Sequence, residues 1–178
     1  MESARIRLRR WCEGDAEALF KYASDPEVGP RAGWPPHLSV DDSLNVINTI
    51  FSSEGIWAII LKETQEPIGS IGYIPHGFSN IPIEPNDCEI GYWVAKPYWN
   101  QGICTEALEL VLDYCINTMH FDTIWSDHFV SNPASGRVLE KCGFAYTGIE
   151  TRCPHLLGGD NEPIKILKFN KKQFPCKN

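Results

Sequence analysis

Apolar and polar positions change period several times along the chain, and each change marks an element. Residues 5–9, Arg-Ile-Arg-Leu-Arg, alternate basic and apolar side chains, which predicts a first strand with one wet face. Helix formers follow a Gly-Asp start over residues 15–22, and Asp25-Pro26 stops them. Residues 29–37 are rich in Gly and Pro and read as loop. Ser39-Val40-Asp41-Asp42 then resembles a capping box opening a second helix to about residue 51. The apolar runs 57–61 and 68–74, separated by Lys62-Glu63-Thr64-Gln65-Glu66-Pro67, predict a hairpin. Residues 75–87 carry three prolines and an Asn-Asp pair, an excursion at one end of a sheet. Residues 88–94 are the next strand.

From Gly102 the period becomes helical. Leu108, Val111, Leu112, Cys115, Ile116 and Met119 fall on one face, which predicts a long helix packed against the sheet. Residues 123–130 read as a strand. Asn132 is placed as an N-cap with Pro133 in the first turn, and Gly143 as the left-handed cap that ends the helix. Two late strands, about 145–151 and 164–169, complete a single α/β (α+β) domain over residues 1–178. Its mixed sheet has about seven strands and about four flanking helices, with a core over about 5–170.

Composition narrows the function. Hydrophobic residues at 43 % and charged residues at 22 % are ordinary for a globular chain. No run reaches the length of a membrane span, and the first residues lack an apolar signal core. Seven cysteines without paired spacing suit a reducing cytoplasm, the expected location. No Cys-x-x-Cys pair exists and the histidines are scattered, so no metal site is expected. A net charge of −7 argues against a nucleic-acid partner and is compatible with a cationic acceptor.

Two blocks carry the chemistry. The first runs from Cys88 to Ala107 and contains Glu89-Ile90-Gly91-Tyr92-Trp93-Val94, a short loop, and Gly102-Ile103-Cys104-Thr105-Glu106-Ala107. A glycine opening a helix after a strand leaves several N–H groups free where the helix dipole favours an anion, a seat for a pyrophosphate. The second is Asn132-Pro133-Ala134-Ser135, followed by Leu139-Glu140-Lys141-Cys142-Gly143-Phe144. Together they resemble the GNAT superfamily of acetyl-CoA-dependent N-acetyltransferases, and within it the ribosomal-protein N-terminal (alanine/serine) acetyltransferase group.

That resemblance implies a single-domain acyl-CoA N-acyltransferase fold with acetyl-CoA as acetyl donor and an amine as acceptor. It implies that backbone amides from Asn100 through Gln101, Gly102, Ile103 and Cys104 to Thr105 bind the pyrophosphate, beside Trp99. Trp93 and Val94 are expected to offer backbone groups to the pantetheine arm and the acetyl oxygen, and Asn132 to contact that arm or fix Ser135. Glu89, at the start of the central strand, is the first candidate for general base. A carboxylate desolvated beside Trp93 suits proton abstraction near neutrality. Glu150 and His155 are the alternatives. Ser135 is the candidate donor to the leaving thiolate, because Leu139 occupies the place where many relatives carry a tyrosine. Arg31, Trp34, His37 and Tyr73 are expected to wall the acceptor pocket.

The resemblance leaves the acceptor open. A protein N-terminus is one implied acceptor; polyamines, amino acids and aminoglycosides are the others. A non-catalytic acyl-CoA sensor is the contrasting reading. Monomers and homodimers both fit.

Overall fold

Alternation at the N-terminus does produce a strand: Ile6 and Leu8 are buried while Arg5 and Arg7 stay in solvent. The computed structural model describes residues 1–79, 81–153 and 161–169. Its strands are β1 (Ile6–Arg9), β2 (Ile56–Leu61), β3 (Pro67–Pro75), β4 (Cys88–Val94), β5 (Ile124–Phe129), β6 (Phe144–Cys153) and β7 (Glu162–Phe169). Its α-helices are α1 (Ala16–Ala23), α2 (Val40–Thr49), α3 (Ile103–Asn117) and α4 (Pro133–Lys141). The strands form one mixed sheet in the order β1-β2-β3-β4-β5-β7-β6. All neighbours are antiparallel except β4 and β5, which are parallel and joined through α3.

Helix boundaries follow local chemistry. Ser39 Oγ accepts from the Asp42 N–H at 3.1 Å, and Asp42 Oδ2 accepts from the Leu38 N–H at 2.9 Å. Those reciprocal bonds satisfy donors that the first turn of α2 leaves free. Gly143 follows α4 with φ +91°, which glycine adopts without the Cβ penalty. The helical period at residue 119 misleads, however. Helix α3 ends at Asn117, the Met119 N–H turns back to the Tyr114 carbonyl, and Met119 is partly exposed.

The two faces of the sheet are covered differently, and this positions the site. Ala107, Leu108, Val111, Leu112 and Cys115 of α3 are fully buried against Ile90, Val94 and Ile124. Truncating one such leucine to alanine costs about 2–5 kcal/mol. Helices α1 and α2 cover the opposite face, where Trp11, Leu19 and Ile47 pack on Ala58 and Ile60, with Trp93 at the rim. Along β4, side chains 88, 90, 92 and 94 therefore face α3, while 89, 91 and 93 face the other way.

Candidate active site

Parallel pairing between β4 and β5 covers only two positions, Cys88 with Ile124 and Glu89 with Trp125. Beyond them β4 runs on to Val94 and β5 to Phe129 without pairing. The sheet therefore opens into a wedge at the carboxyl ends of its two parallel strands, where open α/β sheets bind ligands.

Backbone groups face this wedge by alternation. The Ala95 N–H bonds to the Ile68 carbonyl, and the Ile90 carbonyl accepts from Ser126 Oγ on β5. In an antiparallel ladder of constant register, residues 91 and 93 then bond to β3, while 90, 92 and 94 direct their N–H and C=O toward β5. This corrects the expectation for Trp93, whose backbone serves the β3 ladder. The groups turned to the wedge are those of Tyr92 and Val94. Of these, the Val94 carbonyl is taken by Trp99 Nε1 at 2.6 Å, so Val94 offers its N–H.

At one end of the wedge stands the start of α3. Asn100 and Gly102 both have positive φ, +58° and +77°, and the first intrahelical bond runs from the Glu106 N–H to the Gly102 carbonyl. The N–H groups of Ile103, Cys104 and Thr105 precede that bond and have no intrahelical acceptor. Gln101 turns its side chain back to the Pro97 carbonyl, and its own carbonyl accepts from Arg5 Nη1 at 2.9 Å. Glu106, one turn in, would repel an anion there, but Arg5 neutralises it. The Arg5 guanidinium meets Glu106 at 2.6 Å, and the Arg5 N–H and Ser3 hydroxyl also donate to it. Burial alone would raise the Glu106 carboxyl; those hydrogen bonds outweigh it and hold the group below its usual range. Cys104 is different. Burial, reinforced by Cys142, pushes its thiol far up, so it packs as a neutral side chain and is no nucleophile.

On the α3 face of the wedge, Tyr92 reaches α4. Its phenol donates to the Ser135 carbonyl at 3.0 Å and lies 3.0 Å from Ser135 Oγ. Burial pushes that phenol well above its ordinary value, with Cys104 adding, so it stays protonated. Tyr92 is absent from the sequence-based candidates; its period-2 placement opposite the second motif was the available signal. Asn132 is fully engaged locally: Oδ1 accepts from the Ser135 N–H at 3.4 Å, and Nδ2 donates to the Arg31 carbonyl at 3.1 Å. Beside them, His128 Nδ1 donates to the Phe129 carbonyl at 2.7 Å. Its Nε2 lies 3.1 Å from the Tyr146 hydroxyl.

On the opposite face the loop 29–37 folds over the strand ends. Trp34 meets Trp93 edge to face at 5.6 Å, and Gly33 lies against the Phe129 ring. The Arg31 guanidinium stacks 4.9 Å over Trp99. His37 packs beside Trp34 at 5.5 Å and shares a 2.7 Å hydrogen bond with Ser43 Oγ. Burial lowers its imidazole, against a smaller opposing effect of Asp42. Beneath this loop, Glu89 is buried and accepts a 2.6 Å hydrogen bond from Ser79 Oγ. Asp127, two positions after Trp125, shares its face. Burial first and the Glu89 charge second push Asp127 up to about 7. Nothing in the sequence alone joins Asp127 to Glu89, because their proximity depends on the β4–β5 register.

One acceptor-side expectation and one alternative base change place. Tyr73 pairs with Ile90, which puts it on the α3 face, where it packs with Tyr114 and Phe121. It does not share a face with Trp34 or Arg31. Glu150 is exposed on β6 and pairs with Lys165 at 3.7 Å. His155 lies outside the described residues. A cleft of about 350 Å³ adjoins the start of α3, lined by Arg5, Lys62, Glu63, Tyr98, Gln101 and Ile103. Its cations are engaged, Arg5 by Glu106 and Lys62 by the Ser3 carbonyl and Glu2.

Comparison with known proteins identifies the family. The model of the acetyltransferase (GNAT) domain matches residues 5–145. The chain belongs to the GNAT acetyltransferase family. It is 30 % identical over 154 residues to the uncharacterized N-acetyltransferase YoaA of Bacillus subtilis, covering 84 % of each chain. It is 31 % identical over 150 residues to the uncharacterized N-acetyltransferase p20 of Bacillus licheniformis, covering 82 % of each. Among solved structures, a GNAT-family acetyltransferase from Bacillus anthracis superposes with TM-score 0.83 at 23 % identity, over 97 % of this chain and 98 % of that one. Two further structures share the fold at TM-score 0.74. One is a ribosomal-protein-S5-alanine acetyltransferase from Vibrio fischeri, 19 % identical over 98 % of each chain. The other is a spermidine N-acetyltransferase from Vibrio cholerae in complex with CoA and spermine, 17 % identical over 95 % and 97 %. This GNAT chain is thus an N-acetyltransferase, and no helix among its described residues is long and apolar enough to cross a membrane.

Proposed function

We propose that the protein moves an acetyl group from acetyl-CoA directly to a primary amine, without a covalent enzyme intermediate. The observation that carries this reading is the parting of β4 and β5 beside the free N–H groups of Ile103, Cys104 and Thr105. Those amides suit a pyrophosphate, since Gly102 presents no side chain and Arg5 cancels the nearby Glu106 charge. The Val94 N–H at the strand end suits the thioester oxygen, where a positioned donor is worth a few kcal/mol as negative charge develops. The buried Cys104 thiol speaks against a covalent route.

The amine enters from the loop 29–37 side, between Trp34 and Trp93, toward the carboxylate end where Glu89 stands. Loss of its proton frees the nitrogen lone pair to attack the thioester carbon. On the other face, the protonated Tyr92–Ser135 pair meets the departing sulfur. An ammonium entering an acidic, tryptophan-walled chamber matches general cation recognition. Resemblance to the ribosomal-protein group makes a protein N-terminus one form of this acceptor, and small alkylamines another.

The test is thiol release from acetyl-CoA with N-terminal peptides, polyamines, amino acids and aminoglycosides, against a no-acceptor control. Turnover with one class well above the control names the acceptor. Tight CoA binding without turnover on any amine would refute the transferase reading and leave an acyl-CoA sensor.

A further inference from the structure

We propose that Asp127, opposite Gly91 in the opening between β4 and β5 and on the same face as Glu89, is the group that takes the proton from the acceptor ammonium. Glu89 is the charge that holds it ready. The proposal rests on the acetyl-CoA:amine reading above and names the base of that same site.

Glu89 and Trp125 form the last parallel pair, so 91 and 93 continue on the face of Glu89 while 127 and 129 continue on the face of Trp125. The strands separate there, and Gly91 and Asp127 stand on either side of the gap. Gly91 is exposed, and a Cβ at its position would meet nothing within 4 Å. Opposite Asp127, β4 therefore puts no side chain into the gap, because Gly91 has none. On the same face, Trp93 follows on β4 with Trp34 edge to face against it, and Phe129 follows on β5 with Gly33 against its ring. This is room for an amine carbon chain, with one carboxylate free to touch the nitrogen.

The two carboxylates are not equivalent. Glu89 is buried and turned toward the segment before β4, where Ser79 donates to it and itself anchors the Ile81 N–H and carbonyl. Asp127 forms no ion pair with any described side chain. The titratable groups whose charge couples to it are Glu89 on β4, Cys153 on β6 and, through the sheet, the Tyr92 phenol. Its register partner on β7 is Ile166, and the lysines nearby are engaged elsewhere. Lys165 reaches Glu150 and the Tyr146 ring, and Lys168 lies over Trp125. From the loop, Arg31 stacks on Trp99 and pairs with Glu27.

The ammonium gives one proton to the Asp127 carboxylate, which releases it to solvent. The neutral nitrogen attacks the thioester carbon, and collapse of the tetrahedral adduct breaks the C–S bond. Asp127, deprotonated again, carries the second nitrogen proton to solvent, while the sulfur takes one proton from the Tyr92–Ser135 pair, which solvent restores, giving amide and free thiol. An ordinary aspartate is too weak a base for this transfer; burial and the Glu89 charge bring Asp127 to about 7, matched to neutral operation.

The experiment is a pH profile of kcat/KM for wild type, D127N and E89Q, with CoA affinity measured for each. Wild type is expected to lose activity in acid with a midpoint near 7. D127N should bind CoA normally, lose about 10²-fold or more in kcat/KM, and lose the acid limb. E89Q should move the limb to lower pH, because removing the neighbouring charge makes Asp127 more acidic. A D127N enzyme with the wild-type limb overturns the proposal, as does an E89Q enzyme that loses the limb while D127N only shifts it. Carboxyl ¹³C NMR of the CoA-bound protein provides a readout independent of turnover. One aspartate signal titrating near neutrality must vanish in D127N, and its absence from wild type also overturns the assignment. Failure of wild type to acetylate any amine refutes the transferase reading itself.

Discussion

Replacing Gly102 by alanine probes the loop on which donor binding depends. Its φ of +77° costs an alanine about 1–2 kcal/mol. Crowding adds nothing, because a methyl there sits 3.6 Å from the Arg5 guanidinium, an ordinary contact. The whole penalty is backbone strain, and it has two places to go. A loop that keeps its shape loses that energy from the free protein, and Tm falls by about 2–8 °C for a chain of this size. A loop that relaxes keeps its Tm but must be forced back when the pyrophosphate binds, so CoA affinity drops by about 5–30-fold.

Both routes end in the same strained complex. Thermal unfolding with saturating CoA should therefore fall by about 2–8 °C whichever route the free protein takes. Calorimetric titration then apportions the loss between folding and binding. Gly77→Ala is the control: its φ is +89°, nothing lies within 4 Å, and it sits in the excursion before β4, away from α3. It should lower both melting temperatures together and leave CoA affinity alone. An unchanged Tm for CoA-bound G102A would falsify the left-handed seat. Altered CoA affinity in G77A would show that the assay reads global stability instead of the loop.

Three further outcomes are expected. Tyr92→Phe and Ser135→Ala each remove the phenol–hydroxyl contact, so each should lower kcat by about tenfold or more; if the pair acts as one donor, the double variant is no slower than the slower single one, and fully additive losses would argue for separate roles. Gly136→Ala places a methyl 2.6 Å from His128 Nε2 and Tyr146 Oη, and overpacking of this kind costs about 1–3 kcal/mol, measured as a lower urea midpoint at unchanged m-value. Asp15 is held below the usual carboxylate range: burial would raise it, but hydrogen bonds from Arg9 and Cys12 outweigh that. The stability this contributes is present above the unfolded value of about 3.9 and is lost as pH falls through the lower folded value, so D15N should flatten urea stability between about pH 5 and 2; a D15N curve parallel to wild type would remove Asp15 from the acid limb.

What the sequence made legible was local. The N-cap at Ser39, the open start of α3 at Gly102, the Asn132-Pro133 helix start and the Gly143 stop are each decided within a few residues, by donors and dihedrals that neighbouring side chains satisfy. What it hid depends on register between strands. Period 2 tells that Glu89, Gly91 and Trp93 share a face, but not which face of β3 they meet. Tyr73 is close in sequence to the excursion beside the site and still lands under α3, because it pairs with Ile90. The same parity turns the backbone of Trp93 into β3 and leaves Tyr92 and Val94 to face the wedge.

Asp127 is the sharpest instance. On β5 it reads as one polar position in Ser126-Asp127-His128, with no spacing that marks it. Its proton affinity is set by burial and by Glu89, a residue on another strand brought near by a parallel pairing only two positions long. Had that pairing continued, the gap in front of Gly91 would close and the aspartate would sit in a sheet with no room for a ligand. On the proposed reading, the break in the sheet that would admit the thioester is therefore the same break that parts Gly91 from Asp127. Donor site and acceptor site follow from one structural event.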